Sequence, residues 1–160
     1  WIDRNQASFR AFPLVKGGVG IAGLVVAAFL LASMALRGPG VAWKPYTETT
    51  IKEALALNRP VIIDFYATWC TPCRELEDIT FHQADVVRLA GQHFTMVKVD
   101  VTRGGNPYHE ELLKKYRVKG VPTIVFLDAG GKEREDLRLV DYLPAETFLI
   151  RMRELASPKQ

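Results

Sequence analysis

The chain has 160 residues and a formal net charge of +3, with 24% charged and 48% hydrophobic residues. That length holds one ordinary domain and an additional segment. So small a charge, with no interleaving of aromatic and basic residues, argues against nucleic acid as a partner.

The chain begins with Trp1, not methionine, and is expected to be a piece of a longer protein or a processed product. Residues 1–16 carry Arg4, Arg10 and Lys16 against one acid, Asp3, and residues 17–36 carry no charge at all. An uncharged run of that length matches the ~20 residues a helix needs to cross a bilayer. Gly17, Gly18, Gly20 and Gly23 crowd its first half, as small residues do in membrane helices. Residues 17–36 are therefore expected to be a transmembrane helix in contact with lipid, closed by Arg37 and broken by Gly38-Pro39-Gly40. The competing reading is a cleaved signal peptide, with small residues at Ala32-Ser33-Met34-Ala35. The run is longer than the ~7–15 apolar residues of such a signal. A buried soluble helix does not fit, because the run has no polar face. The basic flank, residues 1–16, favours the cytoplasmic side, which puts the rest of the chain outside the inner membrane.

Residues 37–46 read as a linker with a possible short strand from Val41 to Tyr46, and residues 47–160 as the folded domain. Thr47 or Thr49 can cap a helix carrying Ile51, Ala54, Leu55 and Leu57. Val61–Tyr66 is a continuous apolar strand, buried on both faces. A helix is expected from about Thr71 to Thr80, with Leu76, Ile79 and Phe81 apolar, and another from Ala84 to Ala90. Then come a strand at Phe94–Val101, a loop to Pro107, a helix at Tyr108–Tyr116 and a strand at Pro122–Asp128. The turn Ala129-Gly130-Gly131-Lys132 leads to a hairpin partner, Glu135–Val140, and Pro144 opens a last helix through Leu155. Strands alternating with helices and ending in a hairpin give an α/β fold with a mixed sheet flanked by helices.

The two cysteines, Cys70 and Cys73, sit where the strand Val61–Tyr66 gives way to a helix. The reactive form of cysteine is the thiolate, and a first helical turn stabilises an anion through unpaired N–H groups and the helix dipole. Pro72 is tolerated there because its missing N–H would have had no helical partner. The spacing suits one thiol that attacks and a second that resolves. Two other uses are open to such a pair. One is half of a zinc site, but there is no third cysteine and His82, His93 and His109 lack ligand spacing. The other is a structural disulfide, though so short a loop gives little chain-entropy stabilisation.

Asp64 interrupts the apolar strand six positions before Cys70. Burial would raise its pKa toward neutrality and let it take a proton from Cys73, whereas at a solvated strand end it would do neither. Glu77 lies four residues after Cys73 and seven after Cys70, on one face of a regular helix. A carboxylate there opposes thiolate formation; the alternative is a solvated surface glutamate, as Glu75 and Asp78 are read. Trp69 either shields the pair and offers an apolar contact surface or is a core residue.

Trp69-Cys70-Thr71-Pro72-Cys73 after an apolar strand, with Val121-Pro122-Thr123 about fifty residues later, resembles the thioredoxin superfamily. Asp64-Phe65-Tyr66-Ala67, Arg74-Glu75-Leu76-Glu77, Thr80-Phe81 and Lys119-Gly120-Val121-Pro122-Thr123-Ile124 are similar to the C-terminal periplasmic domains of DsbD-type thiol:disulfide interchange proteins. The resemblance spans roughly residues 42–156 and implies a thioredoxin-like fold. It also implies an acid at the positions of Asp64 and Glu77, and a cis bond before Pro122, with Val121 offering backbone to an extended partner. Thr71-Pro72 departs from the small apolar pair or Gly-Pro of the relatives, and with it the strength of the reductant is open.

By that resemblance the chain is a membrane-anchored thiol:disulfide oxidoreductase. Cys70 is its exposed nucleophile and Cys73 its resolving thiol. Trp69, Thr71, Pro72, Val121 and Pro122 bind the partner, and the redox-active disulfide takes the place of any cofactor. Electrons would arrive from a membrane-embedded donor domain and leave to periplasmic disulfide-bearing acceptors, including those of cytochrome c maturation. A simple tethered thioredoxin, an oxidase or isomerase of the same fold, and a non-catalytic binding module are the alternatives.

Overall fold

The structure, a computed structural model, describes residues 19–33 and 38–157. It divides into two units, with the boundary after Gly38. In the first, residues 19–33 form a helix, α1, whose apolar side chains from Val19 to Leu31 are exposed. Among the described residues no helix is long and apolar enough to cross a membrane. The expected span of 17–36 runs at both ends into residues outside that description.

The second unit is built on a five-stranded sheet of order β1-β3-β2-β4-β5. Its strands are β1 (Lys44–Pro45), β2 (Val61–Tyr66), β3 (Thr95–Asp100), β4 (Thr123–Leu127) and β5 (Leu139–Val140). β3 runs parallel to both β1 and β2, while β4 runs antiparallel to β2 and β5. The helices are α2 (Glu48–Ala56), α3 (Thr71–Glu75), α4 (Ala84–His93), α5 (Pro107–Lys115) and α6 (Ala145–Ala156). Thr47 caps α2 by accepting from the Thr50 N–H at 2.9 Å.

Side chains alternate across the sheet with the period of two that strands impose. Val61, Ile63 and Phe65 join Ile51, Ala54, Leu112 and Val125 in one buried layer. Ile62 joins Met96, Ile124, Phe126, Phe81 and Phe148 in the other. The sheet is thus mixed and covered by helices, as expected. Asp64 shares its parity with Ile62 and stands directly opposite Lys98 in the β2–β3 register. Two charged residues therefore point into the layer that also holds the cysteine helix.

Three elements differ from the sequence expectation. The first strand is only Lys44–Pro45, because the Val41 N–H donates to the Phe81 carbonyl at 2.9 Å and not to β3. The cysteine helix is α-helical only to Glu75 and then forms a π turn over Leu76–Thr80, closed by the Phe81 N–H on the Leu76 carbonyl at 2.8 Å. The extra residue in the turn buries Leu76, Thr80 and Phe81 together and leaves Ile79, an apolar residue of the expected helix, 55% exposed. The Thr80 hydroxyl is satisfied on the Leu143 carbonyl at 2.7 Å. The hairpin partner pairs only at Leu139–Val140, since Glu135–Leu137 turns as a 3-10 helix that buries Leu137. Arg151 ties that turn down by donating to the Leu137 and Arg138 carbonyls.

Candidate active site

β2 carries the chain to Tyr66, and the turn after it delivers Cys70 to the start of α3. The Cys70 N–H donates to the Ala67 carbonyl at 3.1 Å. Cys70 then acts as the helix cap, its Sγ accepting from the Cys73 N–H at 3.2 Å. That bond falls on the sulfur that would carry negative charge as a thiolate, and it favours that form. Pro72 fills the first turn, where no donor is lost. Cys70 and Cys73 are joined as a disulfide, with Cα atoms 5.3 Å apart.

Exposure does not single out Cys70 as expected: it is 4% exposed and Cys73 7%. What separates them is position, Cys70 capping the helix and Cys73 lying inside its first turn. Trp69 is 66% exposed, which removes the core reading and leaves an apolar contact surface beside the disulfide. Its Nε1 donates to the Thr102 carbonyl at 3.4 Å, and the Thr68 N–H donates to Thr102 Oγ1 at 2.9 Å. Thr71 is exposed and Pro72 half-buried. Val121 packs against the cluster of Ala67, Cys70 and Cys73, and the Val121–Pro122 peptide is cis.

Asp64 is 3% exposed, so the solvated alternative does not hold. Burial pushes its carboxyl up to about 7, with the Lys98 ammonium pulling back and Glu77 adding to the rise. Its Oδ1 is buried without a protein hydrogen-bond partner. A cavity of about 190 Å³ is lined by Asp64, Cys73, Glu77 and Lys98 together with Tyr66, Ala67, Thr68 and Arg74. It is large enough for water to carry a proton between Cys73 and Asp64. Cys70 does not line it, so the cavity connects the carboxyl with the inner cysteine.

Glu77 does lie beside the pair, but it is not a lone negative charge. It forms a short ion pair with Lys98, whose Nζ is also 4.0 Å from Asp64 Oδ2. Lys98 is the residue sequence reasoning missed. Its one signal in the sequence is a lysine inside the apolar stretch Thr95–Asp100; that it stands opposite Asp64 is set by the β2–β3 register. Among the described residues no group of three or more His, Cys, Asp or Glu could hold a metal ion.

Residues 47–156 match the thioredoxin-like domain family. Over 113 residues the chain is 37% identical to the thiol:disulfide interchange protein DsbD of Ralstonia nicotianae, covering 71% of this chain and 18% of that protein. The chain thus spans less than a fifth of that curated relative. Among solved structures it is similar to a thioredoxin from Thermus thermophilus, with a TM-score of 0.61 and 31% identity over 73% of this chain and 88% of that one. It is also similar to the C-terminal domain of Neisseria meningitidis DsbD in the oxidised form. There the TM-score is 0.55 and the identity 30%, over 69% of this chain and 97% of that one.

Proposed function

This chain belongs to the thioredoxin-like family and carries a protein-disulfide oxidoreductase domain, and from that premise we propose that it works as a membrane-anchored disulfide reductase. The observation that carries the reading is the single cavity joining buried Asp64 to Cys73 behind the helix-capping Cys70.

In the reduced protein the Cys70 thiolate attacks one sulfur of a partner's disulfide. A mixed disulfide forms, and the partner's other sulfur leaves as a thiolate that takes a proton from solvent. Asp64 accepts the Cys73 proton through the cavity, and the Cys73 thiolate attacks Cys70 Sγ. The Cys70–Cys73 bond forms, the mixed disulfide breaks, and the partner's second thiolate leaves and is protonated. Two electrons pass from the pair to the partner, and Asp64 returns its proton to water. A carboxyl with a pKa of about 7 suits this exchange at neutral pH, being ready both to take and to release a proton.

Trp69, Thr71, Pro72, Val121 and Pro122 form the face on which an extended partner segment would lie. The uncharged residues 17–36 would hold the domain at the outer face of a bacterial inner membrane. A membrane-embedded dithiol domain would supply electrons and periplasmic disulfide proteins would take them, as similarity to proteins named for thiol:disulfide interchange suggests.

The direction is tested by the reduction potential of the Cys70–Cys73 pair, measured by equilibrating the chain in thiol redox buffers. We expect a value near the ~−270 mV of thioredoxin or modestly above it. A value approaching the ~−120 mV of a strong oxidant such as DsbA would reverse the direction and make the domain an oxidase.

A further inference from the structure

Lys98 has two kinds of neighbour. Its ammonium pairs with Glu77 and approaches Asp64. It also lies over aromatic rings, 4.8 Å from the centroid of Trp43, 4.9 Å from that of Tyr66 and 5.9 Å from that of Phe81. All three distances are within the range where a ring face attracts a cation. Tyr66 and Phe81 belong to the site's own strand and π turn, whereas Trp43 comes from the segment before β1. That segment is held in place: the Trp43 ring meets Phe81 edge-on at 4.9 Å, and the Val41 N–H bonds the Phe81 carbonyl.

The ammonium has somewhere else to go. A second cavity, of about 340 Å³, shares Lys98 and Tyr66 with the first and is lined by Trp43 and Asp100. His109, Tyr108, Tyr46 and Lys44 also face it. The charged or titratable groups on the first side are Asp64, Cys73, Arg74, Glu77 and Tyr66. A lysine that swung into the second cavity would find the Asp100 carboxylate there and would abandon Asp64. In the position it occupies, paired with Glu77 and near Asp64, the ammonium also lies over the Trp43 ring face.

We propose that Trp43 is a positioning residue for the disulfide exchange: its ring holds the Lys98 ammonium against Asp64 and Glu77, and so tunes proton transfer between Asp64 and Cys73. The inference rests on Asp64 being the proton acceptor of the reading above. A nearby cation favours the ionised carboxylate, so releasing Lys98 makes Asp64 hold its proton to higher pH.

The test follows the Asp64 carboxyl carbon by NMR across pH in the oxidised full chain, beside the pH profile of disulfide exchange in the same proteins. Lys98→Met should raise the Asp64 midpoint by roughly 1–3 pH units. Trp43→Leu keeps apolar bulk but removes the ring, and should raise it by on the order of half a pH unit. Trp43→Phe keeps a ring and should titrate as the parent does. In the Lys98→Met background, Trp43→Leu should add nothing, because the two act through one contact. The exchange profile should move with the carboxyl in each case. Trp43→Leu titrating like the parent, or shifting the midpoint equally with and without Lys98, overturns the inference and leaves Asp64's own role intact. A carboxyl that moves as expected while every exchange profile stays fixed overturns Trp43's part in the reaction together with the proton-acceptor role.

Discussion

At the scale of single residues, Asp64 is the group whose burial costs stability at neutral pH. Its carboxyl titrates near 3.8 in the unfolded chain and near 7 when folded, chiefly because burial disfavours the charged form. Between those values the unfolded state has released a proton that the folded state still holds, so stability falls as pH rises through the window. The loss is complete above pH 7 and absent below about pH 4, with a ceiling on the order of 4 kcal/mol. Asp64→Asn, which cannot ionise, should match the parent protein near pH 4 and be the more stable of the two at pH 8, as read by denaturant unfolding at both. The same variant should slow resolution of a mixed disulfide by roughly 10²-fold and remove the rise in its rate through neutral pH. A parent protein whose stability is flat across that window would mean the carboxyl is not desolvated as described. The sequence disclosed this residue well, since an acid inside an apolar run has few bland explanations. It disclosed Lys98 equally well to anyone pairing β2 with β3, but strand partners are set by tertiary register, which no local pattern contains.

At the scale of elements, most of the fold followed from periodicity and caps: Thr47 does cap α2, β2 occupies Val61–Tyr66, and Pro144 directly precedes α6. The π turn did not follow, because the stretch from Thr71 to Thr80 reads as one regular helix with Leu76, Ile79 and Phe81 as its apolar residues. In the observed turn Ile79 is exposed and Thr80 buried. That contrast gives a paired test. Ile79→Ser changes an exposed side chain and should alter stability by no more than about 0.5 kcal/mol. Thr80→Val keeps shape but removes the buried hydroxyl's bond to the Leu143 carbonyl, leaving that carbonyl short of a donor. It should cost about 1–2 kcal/mol. Denaturant midpoints of the two variants decide it, and the opposite ranking would make Ile79 and not Thr80 the buried residue. Short edge strands were likewise overread, since β1 and β5 hold two residues each and an apolar run does not say where pairing stops.

At the scale of the whole molecule, the reading depends on which side of a membrane the cysteine domain works. Residues 17–36 are uncharged, and three basic residues precede them within reach, against Arg37 and Lys44 after them. Under the proposed anchoring, that bias would keep residues 1–16 in the cytoplasm and send the rest across. A disulfide exchanger placed there meets substrates in a compartment where disulfides persist, and it needs a donor on the membrane side because the surroundings do not supply reductant. The orientation is open to direct measurement. In intact cells freed of the outer membrane and treated with a reductant, a membrane-impermeant thiol reagent should label Cys70 and Cys73, and the chain should stay with the membrane fraction in alkaline carbonate. Both outcomes are needed. Labelling only after the inner membrane is broken would put the domain in the cytoplasm, where glutathione and thioredoxin already hold thiols reduced and a membrane-fed relay has no task. Labelling of a chain that washes off the membrane would make residues 17–36 a removed signal, and the electron donor would then have to reach a freely diffusing domain.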